Sequence, residues 1–143
     1  MSDMDQHNLE IFNRSLQRVT SSPAFFDCFY DNFISQSDEI SRFFKNRDMA
    51  QLKKKLRETL FMLAETAEGR PGLTLYIEML GRIHKRLNVQ RKHFNMWEEA
   101  LLEAVKIYDD EYDDEILAAW LYVIDEVIET MFSALEEARL MAS

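Results

Sequence analysis

Cysteine, glycine and proline are almost missing from this chain. Of its 143 residues, one is cysteine, three are glycine and two are proline. The single Cys28 has no internal disulfide partner, which points to a reducing compartment and, with it, to the cytoplasm. So few backbone breakers leave little material for tight turns and favour long helices. No uninterrupted apolar run approaches the ~18 residues of a membrane span. The opening MSDMDQHNLE is polar and acidic, and reads as no signal peptide. Basic charge is also short: 17 Lys and Arg face 26 Asp and Glu, for a net charge of −9. That balance speaks against a nucleic-acid backbone or an anionic membrane as the natural partner.

What is present is apolar periodicity. Hydrophobic residues make up 47% of the chain and charged residues 30%, the balance of a folded globular protein, and the length suits one domain spanning residues 1–143. Leu9, Phe12, Leu16 and Val19 make a helical stripe. Ser21-Ser22-Pro23 reads as a cap followed by a first-turn proline. Behind it come Phe25, Phe26, Phe29, Tyr30, Phe33 and Ile34, a dense aromatic face. A short turn from Ser37 to Arg42 ends at Phe43 and Phe44. Asp48 has the character of an N-cap for the stripe Met49, Leu52, Leu56, Leu60, Leu63. Gly69 to Gly72 breaks the chain, and Leu73, Tyr76, Leu80, Ile83 and Leu87 form another stripe. A helix with Phe94, Trp97, Leu101, Val105 and Tyr108 follows. The acidic run from Asp109 to Glu115 reads as a solvated turn whose later carboxylates favour the next helix N-terminus. The last stripe is Ile116, Trp120, Val123, Val127 and Met131. The expectation is about six substantial helices and a short one, with no repeat or linker.

Most familiar chemistries find no residues here. Carboxylate-bridged metal bundles need Glu three residues before His, but Met4, Gly81 and Gln90 stand there. One Cys and three His do not make a zinc site, and the acidic run lacks a calcium loop's glycine. Cys28 has no histidine nearby in sequence to activate it. Gly69 to Gly72 is too sparse for a phosphate loop. His84 remains, on the apolar side of its helix beside Ile83. Two readings stay open for it: an imidazole hydrogen-bonded at the core margin, or an axial ligand to iron.

The segment Leu80-Gly81-Arg82-Ile83-His84-Lys85-Arg86-Leu87-Asn88-Val89, then Phe94 and a leucine-rich helix, resembles the proximal region of globins. It is similar to single-domain bacterial haemoglobins and neuroglobin-like proteins. Phe29-Tyr30-Asp31-Asn32-Phe33 resembles the globin helix over the bound ligand, and Ala119-Trp120 a recurrent pair early in the final helix. The resemblance covers nearly the whole chain. It implies an all-α globin fold, six to eight helices around a haem pocket. It also implies haem b (iron protoporphyrin IX) as cofactor and His84 as the metal ligand. Leu80 and Val89 would touch the porphyrin, Phe94 would pack beside it, and Tyr30 would stand at the distal side. Phe44 would wedge at the haem edge, with Phe43 one residue away as the alternative. The departure lies at the distal helix, where similar globins carry glutamine or histidine. The phase of Leu56 and Leu60 puts Leu52 there; choosing Gln51 instead would turn Lys55 into the pocket.

The function implied is reversible binding of a diatomic gas on ferrous iron, oxygen first, with nitric oxide and carbon monoxide as alternatives. Two further classes stay open. One is a haem enzyme, a nitric oxide dioxygenase or peroxidase. The other is a gas-sensing or haem-free interaction module. With the sequence ending at Ser143, no reductase domain is expected, so repeated redox turnover would call for a separate reductase. A homodimer is a further open alternative. Lys53, Lys55, Arg82, Lys85 and Arg86 are candidates to pair with haem propionates, although each alone reads as helix surface. Tyr30 has two readings: a donor to the ligand, or a packed ring with its hydroxyl on backbone.

Overall fold

The computed structural model describes residues 3–67, 79, 81, 82, 85 and 89–142. Six helices lie among them: α1 (Asp3–Thr20), α2 (Pro23–Ser35), α3 (Asp38–Phe43), α4 (Met49–Ala67), α5 (Arg91–Tyr108) and α6 (Asp114–Ala142). There is no strand among the described residues, as the scarcity of breakers predicts. The stripe expected from Leu73 to Leu87 falls mostly outside them.

Local chemistry explains where the helices begin. Pro23 opens α2, where a missing N–H costs nothing, behind an extended Ser22. The Ser37 hydroxyl accepts from the Ile40 N–H at 3.1 Å, and α3 starts there. Asp48 caps α4, its carboxylate accepting from the Ala50 and Gln51 N–H groups. Asp113 does the same for α6 through the Ile116 N–H at 2.9 Å. Between α3 and α4 the chain reverses through Asn46, whose φ of 62° is left-handed. Asparagine tolerates that region better than most residues, and it lets the corner close tightly.

The predicted stripes on the six described helices supply the core. α1 packs chiefly on α6 and α2 on α5, with α4 laid against α1 and α6. Leu9, Phe12, Leu16 and Val19 are sealed, and Phe12 meets the Trp120 indole edge-on at 4.7 Å. Phe25, Phe29, Leu60, Leu101, Val105, Val123 and Ile124 fill the rest. Burying such side chains stabilises the fold by about 1.5–3 kcal/mol each before conformational entropy is set against it.

The acidic run corrects one expectation. Asp109 does not belong to a solvated turn: its residue is 2% exposed. Arg18 grips it through Nε at 2.6 Å and a second guanidinium nitrogen at 2.9 Å. The Ser15 hydroxyl donates to it at 2.6 Å and the Glu111 N–H at 3.0 Å. Trp120 Nε1 in turn donates to Ser15 Oγ at 2.8 Å. Desolvation alone would raise the Asp109 carboxyl, but these donors outweigh it and hold the group below its usual range. The later carboxylates behave as expected, with Asp114 and Glu115 exposed in the first turn of α6.

Candidate functional site

The aromatic face of α2 and the first turns of α4 converge at the α3–α4 corner. Tyr30 is 7% exposed, and its hydroxyl donates to the Leu52 carbonyl at 3.1 Å. Burial pushes its phenol up to about 12, so it remains a protonated donor throughout the neutral range. Phe44 turns its ring edge towards Tyr30 at 5.8 Å and Phe33 at 5.6 Å. Phe43 points elsewhere, meeting His93 at 5.2 Å. Phe44 therefore shares a cluster with Tyr30, and Phe43 faces α5.

Along α4, Leu56 is buried and Leu52 half-buried, while Gln51 and Lys55 are exposed. This is the helical phase the leucine stripe predicts. Lys53 is committed on the other flank, paired with Asp27 of α2. Around the start of α5, Val89 and Phe94 are half-buried, and Phe94 packs on Phe132 of α6 at 5.4 Å. His84, Leu80 and Arg86 lie outside the described residues; Arg82 and Lys85 are exposed.

The lining suits a flat aromatic cofactor. Phe44 and Leu52, beside Tyr30, are large apolar side chains packed against the core yet left half-buried, which offers an apolar surface for a ring to cover. One phenol hydroxyl is placed among them, at Tyr30. Cations stand exposed nearby at Lys45, Arg47 and Lys55 for carboxylates at a cofactor's edge. A shallow groove of about 640 Å³ lies at the α2–α3 corner, lined by Asp31, Gln36 and Asp38 among others; its acidic, polar walls do not suit an apolar ring. Cys28 is half-buried, and desolvation raises its thiol, so it is no activated nucleophile.

Two arrangements went unseen in the sequence. One is the Asp109 network, signalled only by Ser15 standing on the apolar stripe of α1. The other is His93, which is 2% exposed at the start of α5. Its Nδ1 accepts from the Gln90 N–H at 2.8 Å, so the ring proton belongs on Nε2. Nε2 lies 2.9 Å from Glu39 Oε1, close but poorly aligned for a linear hydrogen bond. Contact with His93, then with Lys92, holds Glu39 below the usual carboxylate range.

Comparison with known proteins places this architecture. The family model for globins matches residues 9–131. The chain belongs to the globin family. Among solved structures it is similar to protein PA3967 of Pseudomonas aeruginosa PAO1, described as structurally highly homologous to a human hemoglobin. The two share 30% identity with a TM-score of 0.84, over 89% of this chain and 97% of that one. No curated protein matches the sequence. No helix among the described residues is long and apolar enough to cross a membrane.

Proposed function

We propose that this globin holds haem b and reversibly binds a diatomic gas, oxygen foremost, in the cytoplasm. The observation that carries the reading is the apolar lining of Phe44, Leu52 and Leu56 around one buried phenol donor, Tyr30. Haem, when bound, supplies the ferrous iron on which a gas is taken up. His84 would hold the iron from the proximal side, with Leu80, Val89 and Phe94 against the ring. Leu52 and Leu56 exclude water and donate nothing, so any hydrogen bond to the gas comes from Tyr30. Exposed lysines and arginines at the pocket rim would pair with propionates. Lys53 is held by Asp27 and His7 is exposed on α1, which supports an open sixth position on ferrous iron.

The test is the visible spectrum of the purified or haem-reconstituted protein in ferric, ferrous and carbonyl forms. A five-coordinate ferrous band that shifts on adding carbon monoxide is expected. His84→Ala should abolish stable haem uptake or make it depend on added imidazole. Unchanged haem content and ferrous spectrum in that variant would remove His84 from the iron. Sharp low-spin ferrous bands before any gas is added would point to an internal sixth ligand, with Lys55 the first residue to substitute.

A further inference from the structure

Charge is unevenly placed along the chain. Residues 42–57 hold seven lysines and arginines against one carboxylate, Asp48, and residues 82–92 hold five with no carboxylate. The whole chain nevertheless has a net charge of −9, so the remainder is strongly acidic. Among the described residues, the fold sets the start of the first segment, at Phe43, beside the end of the second, at Lys92. Phe43 packs on His93, and Lys92 Nζ lies 3.3 Å from Glu39, joining the end of α3 to the first turn of α5.

Few of these charges are used internally. Lys53 pairs with Asp27, Lys92 with Glu39 and Arg91 with Glu129. Arg42, Lys45, Arg47, Lys54 and Lys55 are exposed and have no acidic partner among the described residues. Two propionates of a bound haem would neutralise only part of this face. An uncompensated basic patch on an otherwise acidic protein, on the same α3–α4 corner as Phe44 and Leu52, is complementary to an acidic partner.

We propose that this face docks a small acidic one-electron carrier protein, which keeps the iron ferrous. The proposal rests on the haem-binding reading above. The step is one electron leaving the partner's reduced centre and converting ferric iron to ferrous; no bond forms or breaks. Size selects this partner over other anions. A nucleic acid or a planar anionic membrane extends past the patch and meets the acidic remainder of the chain. A compact protein touches the basic face alone, and screening over about 8 Å at physiological salt hides the rest from it. Electron-transfer complexes of this kind are small, below about 1,200 Å², and are steered by charge.

The experiment titrates the haem-reconstituted protein with flavodoxin, an acidic flavin protein, and follows the complex by calorimetry and amide chemical shifts. Binding should weaken at least about tenfold between low and physiological ionic strength. The quadruple variant K45E/R47E/K54E/K55E should bind at least about tenfold more weakly at low salt, with the shifts at 42–55 lost. R14E/K106E, exposed on α1 and α5 outside the basic segments, should bind as the wild type does. If the charge-reversed protein fails to fold, the four glutamine substitutions replace it. Equal flavodoxin affinity in the wild type and the quadruple variant overturns the proposal. So does tighter binding to duplex DNA or phosphatidylserine vesicles than to flavodoxin. A normal haem spectrum with no flavodoxin binding sinks the docking face and leaves the haem reading intact. Absence of any haem spectrum sinks the haem reading and the electron delivery with it.

Discussion

Tyr30 shows how one residue narrows a functional reading. The resemblance offered two roles, and in the structure the hydroxyl donates to the Leu52 carbonyl. A phenol has one proton, so a gas molecule in the pocket must compete with that carbonyl for it. The net gain is then the difference between two hydrogen bonds, not the whole of one. Tyr30→Phe should therefore raise the oxygen dissociation rate by no more than about tenfold, or ~1.4 kcal/mol, and leave carbon monoxide dissociation nearly unchanged. Stopped-flow dissociation of both gases reads this directly, and equal oxygen rates would leave Tyr30 a purely structural residue. The same substitution removes one buried hydrogen bond and should lower stability by about 0.5–1.5 kcal/mol. Because burial pushes the phenol up to about 12, the oxygen rate of the wild type should not change across the neutral range.

Between elements, the strongest polar connection is Asp109. It ties α1, through Ser15 and Arg18, to the α5–α6 corner, and Ser15 passes the link to Trp120 of α6. The carboxylate is fully satisfied, so removing it leaves Ser15 without its acceptor and Arg18 with only the exposed Glu111, 3.2 Å away. Asp109→Ala should cost about 2–4 kcal/mol in chemical denaturation, because hydrogen bonds to a charged group contribute about 1.5–3 kcal/mol each and Arg18 keeps Glu111. Ser15→Ala should cost less, about 1–3 kcal/mol, and should shift tryptophan fluorescence because the indole N–H loses its acceptor. Depression of the Asp109 carboxyl sets the sign with pH. Its contribution is present above the ordinary carboxyl value and is lost as pH falls through the lower folded one. The acid-unfolding midpoint of Asp109→Asn should move up relative to the wild type.

For the molecule as a whole, a second carboxyl acts in the opposite direction. Glu98 on α5 is pushed up to about 7, first by burial and then by Asp125 across the gap to α6. The protonated form is the one the fold prefers. Its contribution is full below the ordinary value of 4.5 and is lost as pH rises through about 7. Glu98→Gln should therefore stabilise the protein at about pH 8, by roughly 0.5–1 kcal/mol after solvent screening, and change little at about pH 5. Thermal melts at the two pH values decide it, and no gain at the higher pH would refute the raised Glu98 carboxyl. How much of all this was legible beforehand follows the range of each interaction. The apolar stripes, Pro23 and the Asp48 cap depend on neighbours a few residues apart, so periodicity and local hydrogen bonding wrote the helices into the sequence itself, and the globin order came from the resemblance of particular segments. The same periodicity set the phase that turns Leu52 and Leu56 inward and Gln51 outward. Which partner a polar group takes was decided only in three dimensions. Nothing local separates Asp109 from Asp110, and Arg18 lies 91 residues away. The acceptor of Tyr30 is a backbone carbonyl 22 residues on, a group that every residue carries. The contact of α3 with the first turn of α5 likewise waited for the fold, because Coulomb attraction and hydrogen bonding act through space and take no account of position along the chain.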